Sequence, residues 1–421
     1  MVGFARLRRG RCMDRREIAK QEQLGAQRFQ LKDLLKTRML GAELDASKGV
    51  GPGFDFLRLA LAILIFYGHT SLLTVVATPP TFASDLSAAT NAGDLVSMTI
   101  SALKTRGYVL FVPMFFALSG FLVAGSALRL QHVGQFLGFR VLRILPALLV
   151  EVTLSALILG AIFTTLPLRD YFTDPQFFRY FGNIVGHITF HLPGVFTSNP
   201  KTDYVNGALW TLPPEFFCYL ILSALMILGI LGRRQIVLVL FVACAIVIVP
   251  ASLFYGIGIT GTFYSTSAIV SYFVAGVLTF LYREKVPLNF GAAIICGLVA
   301  LAAVPYPRMA FVLVPFLTYL TVWVGLQSWL ALPFMKGRDY SYGIYLYNFP
   351  ICQAIIATIP GISRGQLIVS GLITSLAFAA FSWHFIEKPF LRFKSLLVSD
   401  RFKIGRWTRT ARTNAAETDK A

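Results

Sequence analysis

The sequence predicts an all-α integral membrane protein, a bundle of about ten transmembrane helices with both termini cytoplasmic. Three observations lead there. Hydrophobic residues make up 56% of the 421 positions and charged residues only 14%, with a mean hydropathy of +0.67. Folded in water, such a chain would expose long apolar runs, so the bilayer has to be its solvent. Apolar runs long enough to cross roughly 30 Å of hydrocarbon recur along the whole chain. The formal net charge of +18 gathers in the two tails and in alternate short loops rather than on one patch. That distribution sets orientation and speaks against nucleic acid as a partner.

Residues 1–52 read as a basic cytoplasmic tail: Arg6, Arg8, Arg9, Arg11, Arg15, Arg16 and Lys20 are mixed with acids, without the apolar core of a signal peptide. Residues 26–44 within it are either a short amphipathic surface helix or disordered. The transmembrane domain takes in 53–390, with spans expected at 55–77, 108–127, 144–166, 208–231, 235–256, 264–282, 288–306, 309–328, 340–359 and 366–386. Arg129, Arg140 and Arg143, then Arg233 and Arg234, Arg283 and Lys285, and Lys336 and Arg338 fall in every second loop, as the positive-inside rule requires of cytoplasmic loops. A second basic cytoplasmic tail, 391–421, follows, and no soluble domain is expected after the last span. Two outer segments are expected, 78–107 and 167–207, and the aromatics of the second suit the membrane interface. No internal repeat of the kind that underlies many transporters is visible. Cys218, Cys244, Cys296 and Cys352 lie in apolar runs without paired spacing and read as small core residues.

Polar groups at membrane depth are costly, so each needs a reason. Arg58 and His69 stand eleven residues apart in the first span, close to three helical turns. They therefore share one face, roughly 16 Å apart along the axis. Arg58 at the inner boundary suits a phosphate, and the deeper His69 suits a general base for a hydroxyl. The alternative pairs Arg58 with Asp55 and bonds His69 to another helix. Glu215 in LWTLPPEFFCY lies inside an apolar run about 7 Å from the interfacial Trp210, a depth near that of His69. An acid there either orients the imidazole or binds an acceptor hydroxyl, or it is a protonated group bonded to a neighbouring helix. Arg140 and Arg143 in FRVLRILP share a face just before the third span. They are either a clamp for the phosphates of a nucleotide-type donor such as coenzyme A or topology determinants and lipid anchors. Ser119 and Gly120 in FFALSGFL suit close helix packing. His187 and His191 have i, i+4 spacing but no acidic or histidine partner near in sequence, so no metal site is expected. Asn348, in mid-span, must be bonded to something.

These residues together resemble the acyltransferase 3 family of bacterial membrane O-acyltransferases over roughly residues 53–395. The resemblance rests on Arg58 and His69 separated by ten residues, FFALSGFL, the Arg140 and Arg143 pair, LWTLPPEFFCY, SYGIYLYNFP and the terminal FIEKP. It implies a multi-pass protein of the bacterial inner membrane that transfers an acetyl or other short acyl group from cytoplasmic acyl-CoA to a sugar hydroxyl of a surface or exported glycan. It also implies that His69, Arg58, Arg140 and Arg143 are tied to activity. His69, assisted by Glu215, would be the base, and Arg58, Arg140 and Arg143 would hold the donor phosphates. No tightly bound cofactor is expected; the partners are acyl-CoA, the glycan acceptor and membrane lipids. Asn348 stands where many members have histidine, and Thr211 and Cys218 replace a serine and a frequent phenylalanine. The extracytoplasmic hydrolase-like domain of longer members is not expected here, so the chain is expected either to transfer acyl groups alone or to hand them to a separate extracytoplasmic protein. The rival reading is a polysaccharide or lipid-linked glycan transporter, with Arg58, His69 and Glu215 lining the path.

Overall fold

The structure, a computed structural model, describes residues 37–398 apart from 48, 50, 75–106, 131, 257–258, 261–262 and 332–336. Most of both basic tails, Lys336 and the first outer segment up to 106 lie outside the described residues, as do 26–36 of the expected amphipathic helix. Strand β1 (Arg38–Met39) leads into α1 (Leu40–Ala46), α2 (Phe54–Thr74) and, through a 3-10 turn at Gly107–Leu110, α3 (Phe111–Leu130). Helix α4 (Val133–Leu154) continues through a π turn (Ser155–Leu159) to Phe163. The short α5 (Leu168–Thr173) and α6 (Pro175–Tyr180) precede the 3-10 segment Gly207–Thr211, α7 (Leu212–Ile227) and α8 (Arg234–Tyr255). Strands β2 (Ile259–Thr260) and β3 (Phe263–Tyr264) form a small hairpin before α9 (Thr266–Leu281) and β4 (Pro287–Leu288). Then come α10 (Phe290–Ala303), α11 (Val314–Gly325), α12 (Ser341–Thr358) and α13 (Arg364–Ser382), which passes through a π turn (Trp383–Glu387) into α14 (Lys388–Arg392) and α15 (Lys394–Val398). Antiparallel pairing of β1 with β4 stitches the start of the described chain to the turn after α9.

Each of the ten expected runs coincides with helix. Among the described residues, six helical stretches are long and apolar enough to cross a membrane: Phe54–Thr74, Gly107–Leu130, Val133–Phe163, Gly207–Ile227, Arg234–Tyr255 and Arg364–Leu397. Helices α9, α10 and α11 are apolar but shorter, at 16, 14 and 12 residues. In α12 the 18 residues include Asn348, Gln353 and three tyrosines that lower its hydropathy. The third run begins earlier than its apolar stretch suggests. Arg140 and Arg143 lie inside α4 rather than before it, because packing against the bundle extends the helix back to Val133.

Backbone approach explains the tightest crossing. A Cβ at Gly120 of α3 would collide with the Phe273 carbonyl of α9, and one at Gly276 of α9 with the Ala117 carbonyl of α3. The two glycines thus let the two helices meet backbone to backbone, the small-residue packing that replaces hydrophobic driving force inside a bilayer. Helix α8, in contrast, buries only Val237 and Ser252 and is apolar on all sides, as a peripheral, lipid-facing helix should be. Within α12, Pro350 lacks an N–H and frees the Leu346 carbonyl four residues back. Asn206 Nδ2 donates to that carbonyl at 3.0 Å, so a helix break at membrane depth is satisfied by a neighbouring segment.

Gly120→Val and Gly276→Val are each expected to lower the thermal unfolding temperature of the detergent-purified protein markedly, by a loss of about 2 kcal/mol or more from overpacking. Ser119→Ala, one residue away, is expected to leave it within a few degrees.

Candidate active site

At the amino-terminal end of α2 the charged side chains form one network. Arg143 on α4 donates from Nη2 to Asp339 Oδ2 and from Nη1 to Glu387 Oε2, both at 2.6 Å. Arg58 on α2 reaches the same Asp339 oxygen at 3.4 Å. Asp339 is further held by the Ser341 amide and hydroxyl on its Oδ1, and Glu387 by the Ser382 hydroxyl at 3.1 Å. Burial alone would push the Asp339 carboxyl up, but Arg143 and then Arg58 outweigh it and hold the group below the usual carboxylate range. The network joins α2, α4, the turn before α12 and the π turn after α13. Arg140 does not belong to it. Its guanidinium lies 5.9 Å from the ring centres of both Phe136 and Tyr219, and its buried Nε has no hydrogen-bond partner. Arg58, Arg140, Arg143, Glu215, Tyr219 and Asp339 line one narrow cavity of about 100 Å³, which runs inward as far as Ala208, Thr211 and Tyr345.

A second cavity, about 840 Å³, opens from the other end of the bundle and reaches His69. The Gly207–Thr211 segment separates the two: Ala208 and Thr211 face the first, Gly207 and Trp210 the second. Tyr345 closes the partition with its hydroxyl, which donates to the Ala208 carbonyl at 2.9 Å and shares a 2.7 Å hydrogen bond with Thr211. Gly207 is required here because a Cβ would strike the Phe349 ring at 2.8 Å.

His69 sits against Phe349, edge to face, with its Nδ1 2.7 Å from Asn348 Oδ1. The direction of that bond follows from the amide. Asn348 Nδ2 donates to the carbonyls of Ile344 and Tyr345 at 2.8 and 2.7 Å, which leaves Oδ1 as the acceptor. Nδ1 of His69 therefore carries the proton, and the lone pair is on Nε2. A buried imidazole with that tautomer fixed is suited to take a proton from a hydroxyl.

Sequence reasoning placed Arg58, Arg140, Arg143, Glu215 and His69 at the site, and the structure brings the first four to one cavity and His69 to the other. Two of its alternatives change. Glu215 does not orient His69: its Oε1 accepts from Tyr219, one turn along the same helix, while Asn348 takes the position against the imidazole. Arg58 pairs with Asp339 rather than with Asp55. Asp339 and Glu387 were missed as partners, although Glu387 lies in the FIEKP segment and an acid in an apolar run is the same signal that marked Glu215. Glu151, an acid within the apolar run LLVEVTL, carries the same signal. It is buried, its Oε1 accepts from Ser155 and Asn206 at 2.8 and 2.9 Å, and its Oε2 has no partner. His191 is bonded through Nδ1 to the Asp203 carbonyl at 2.9 Å.

A family model described as an acyltransferase domain matches residues 52–385, the stretch that carries both cavities. The chain belongs to that acyltransferase family. It is similar to an O-acetyl transferase of Shigella phage Sf6, 27% identical over 357 residues that cover 80% of this chain and 95% of that one. It is also similar to nodulation protein 10 of Rhizobium leguminosarum bv. viciae, 26% identical over 384 residues that cover 87% of this chain and all of that one. No solved structure matches. The acyltransferase is thus an enzyme of a membrane, and family membership selects catalysis over the carrier reading.

In this acyltransferase Arg143→Gln is expected to cost about 3–5 kcal/mol, because it leaves the buried Glu387 carboxylate uncompensated. Adding Glu387→Gln is expected to restore a large part of that loss, read as the unfolding temperature in detergent. The Asp339 contribution has the opposite pH sense to that of a histidine. With its carboxyl depressed, it is present above the ordinary carboxylate range and fades only as pH falls through the lowered value. The stability gap between wild type and Asp339→Asn should therefore be flat from about pH 5 to about pH 8.

Proposed function

We propose that the protein transfers an acetyl or other short acyl group from cytoplasmic acyl-CoA to a hydroxyl of a surface or exported glycan on the far side of the bacterial inner membrane. The observation that carries this reading is the pair of cavities meeting end to end at Gly207–Thr211, guanidinium groups in one and an imidazole in the other. A chain of about ten spans with both tails inside puts the arginine cavity at the cytoplasmic face. Of the three arginines, Arg140 is the one suited to bind donor phosphate directly, since its buried Nε lacks a partner. Arg143 and Arg58 are already engaged by Asp339 and shape the cavity around it. At about 100 Å³ the cavity is smaller than the about 300–1,000 Å³ usual for small-molecule sites, so side chains must move as the donor arm threads inward. Tyr345 and Thr211 stand across its path, and their hydrogen bond has to open for the thioester to reach His69.

At the junction the acceptor hydroxyl gives its proton to His69 Nε2 while its oxygen attacks the acyl carbonyl carbon. The carbon–sulfur bond breaks, the acyl group stays on the acceptor oxygen, and the thiolate leaves with coenzyme A and takes up the proton. Asn348 keeps Nδ1–H in place and accepts from it throughout, so it acts as a positioning residue rather than a catalytic one. Glu215, bonded to Tyr219 in the donor cavity, offers a carboxylate to the amide N–H groups of the donor arm.

In cells carrying His69→Ala at wild-type protein level, mass spectrometry of the surface glycans is expected to show the same loss of acyl mass as deletion of the gene. Retention of full acylation in folded His69→Ala protein would overturn the assignment. In membranes supplied with labelled acyl-CoA, Arg140→Gln is expected to raise the donor KM, by about tenfold for one lost charged hydrogen bond. Asn348→Leu should instead lower kcat, by about 10- to 100-fold, with little change in donor KM.

A further inference from the structure

The far cavity has a built wall that the acyl-transfer reading does not use. Lys201 and Tyr204 line it, and the loop that carries them is fixed from below by Gln353 of α12. The buried Gln353 Nε2 donates to the Lys201 carbonyl at 2.8 Å and to the Tyr204 carbonyl at 2.6 Å, and its own oxygens accept from Asn199 at 2.9 Å. The same loop holds two non-glycine residues, Phe196 and Asp203, at φ of 58° and 62°. Backbone conformations of that kind persist only where the surroundings over-determine them. Phe190 stacks on Tyr204 at 5.4 Å with an interplanar angle of 15°, and Lys201 Nζ lies 4.5 Å from the centre of the Tyr204 ring. The ammonium is thus positioned rather than trailing in solvent.

The first turn of α9, a helix of 16 residues, lines the same cavity through Ser265, Thr266 and Ser267. A helix N-terminus carries partial positive charge and N–H groups without helical partners; here the Ser265 hydroxyl takes that of Ala268. Among the described lining residues Lys201 is the one charged side chain, no carboxylate faces the cavity, and the nine-tenths buried His69 closes its floor with Nε2 unpaired.

We propose that this cavity selects an acidic glycan: a carboxylate or phosphate on the acceptor seats between Lys201 and the first turn of α9, which sets a neighbouring hydroxyl at His69 Nε2. The proposal rests on the reading of His69 as the base that meets the acceptor. It names the chemistry of the acceptor, an anionic group close to the acylated hydroxyl, whether that group is a uronate within a polysaccharide or the phosphate of a lipid-linked sugar.

The test compares cells without the gene and cells expressing wild type, His69→Ala, Lys201→Gln or Lys201→Arg at equal protein level. Lipid-linked sugars are taken into organic solvent and polysaccharides into water, each is cut to oligosaccharides, and anion exchange separates neutral, carboxylate-bearing and phosphate-bearing pools before mass spectrometry. The acyl groups lost in the His69→Ala strain are expected in an acidic pool; which pool, and which solvent phase, tells uronate from lipid phosphate. Lys201→Gln should lower acyl occupancy about threefold or more by raising the acceptor KM with the donor KM unchanged, and Lys201→Arg should keep most of it. Acyl loss confined to the neutral pool, or Lys201→Gln indistinguishable from wild type, overturns the acidic acceptor while leaving the acyltransfer reading intact. Full acylation in the His69→Ala strain overturns that underlying reading instead, and the placement of the acceptor with it.

Discussion

Arg143 donates to two carboxylates from different parts of the chain, and the rest of the site is arranged around that pair of hydrogen bonds. Both of its hydrogen bonds are 2.6 Å, one to Asp339 before α12 and one to Glu387 in the π turn after α13, and Glu387 is almost wholly buried. A buried charge with one partner removed is expensive, so the three elements cannot separate at this end without exposing an unpaired ion to low dielectric. Arg58 adds α2 to the same cluster through Asp339. The consequence for the arginine cavity is that two neighbouring arginines are differently partnered. Arg143 is consumed by structure, and Arg140, one turn earlier on the same helix, keeps a buried donor without a partner.

A second, uncharged linkage holds the middle of the bundle. Pro350 breaks the hydrogen-bond ladder of α12, and Asn206 fills the gap at the Leu346 carbonyl while also donating to Glu151 and accepting from the Ala208 amide. The partition between the cavities is therefore positioned from both sides, by Asn206 at its start and by Tyr345 through Thr211 and Ala208. His69 and Asn348 lie directly beyond it. The imidazole gains its fixed tautomer from an amide whose own orientation is set by two backbone carbonyls of α12. Proline in a membrane helix, a polar patch beside it and a buried imidazole are thus parts of one arrangement rather than three separate irregularities.

Much of this was legible along the chain. Hydropathy located the long apolar helices among the described residues, since the bilayer imposes length and composition on each span independently of its neighbours. Helical periodicity put Arg58 and His69 on one face, because both belong to a single straight element. Three things were not legible. The extension of α4 back through Arg140 depends on tertiary packing, which overrides the apolar limit. Matching depth leaves Glu215 a candidate partner of His69, but depth read from apolar runs is coarse: Glu215 lines the arginine cavity, His69 lines the other, and Asn348 meets the imidazole. Asp339 and Glu387 are distant in sequence from Arg143, so no local pattern could pair them.

The sequence by itself determined that this is a helical membrane protein, where its helices run, and which polar residues stand in the apolar interior. Those properties follow from the cost of transferring each side chain and each peptide group to hydrocarbon, a cost that is local and additive along the chain. Only the tertiary structure decided how the polar groups are partnered: that Arg143 is satisfied and Arg140 is not, that Asn348 rather than Glu215 fixes the imidazole, and that two cavities meet at Gly207–Thr211. Partnering depends on the relative rotation and crossing of helices. That is set by close approaches such as Gly120 against Phe273, contacts between residues that sequence separation does not bring together.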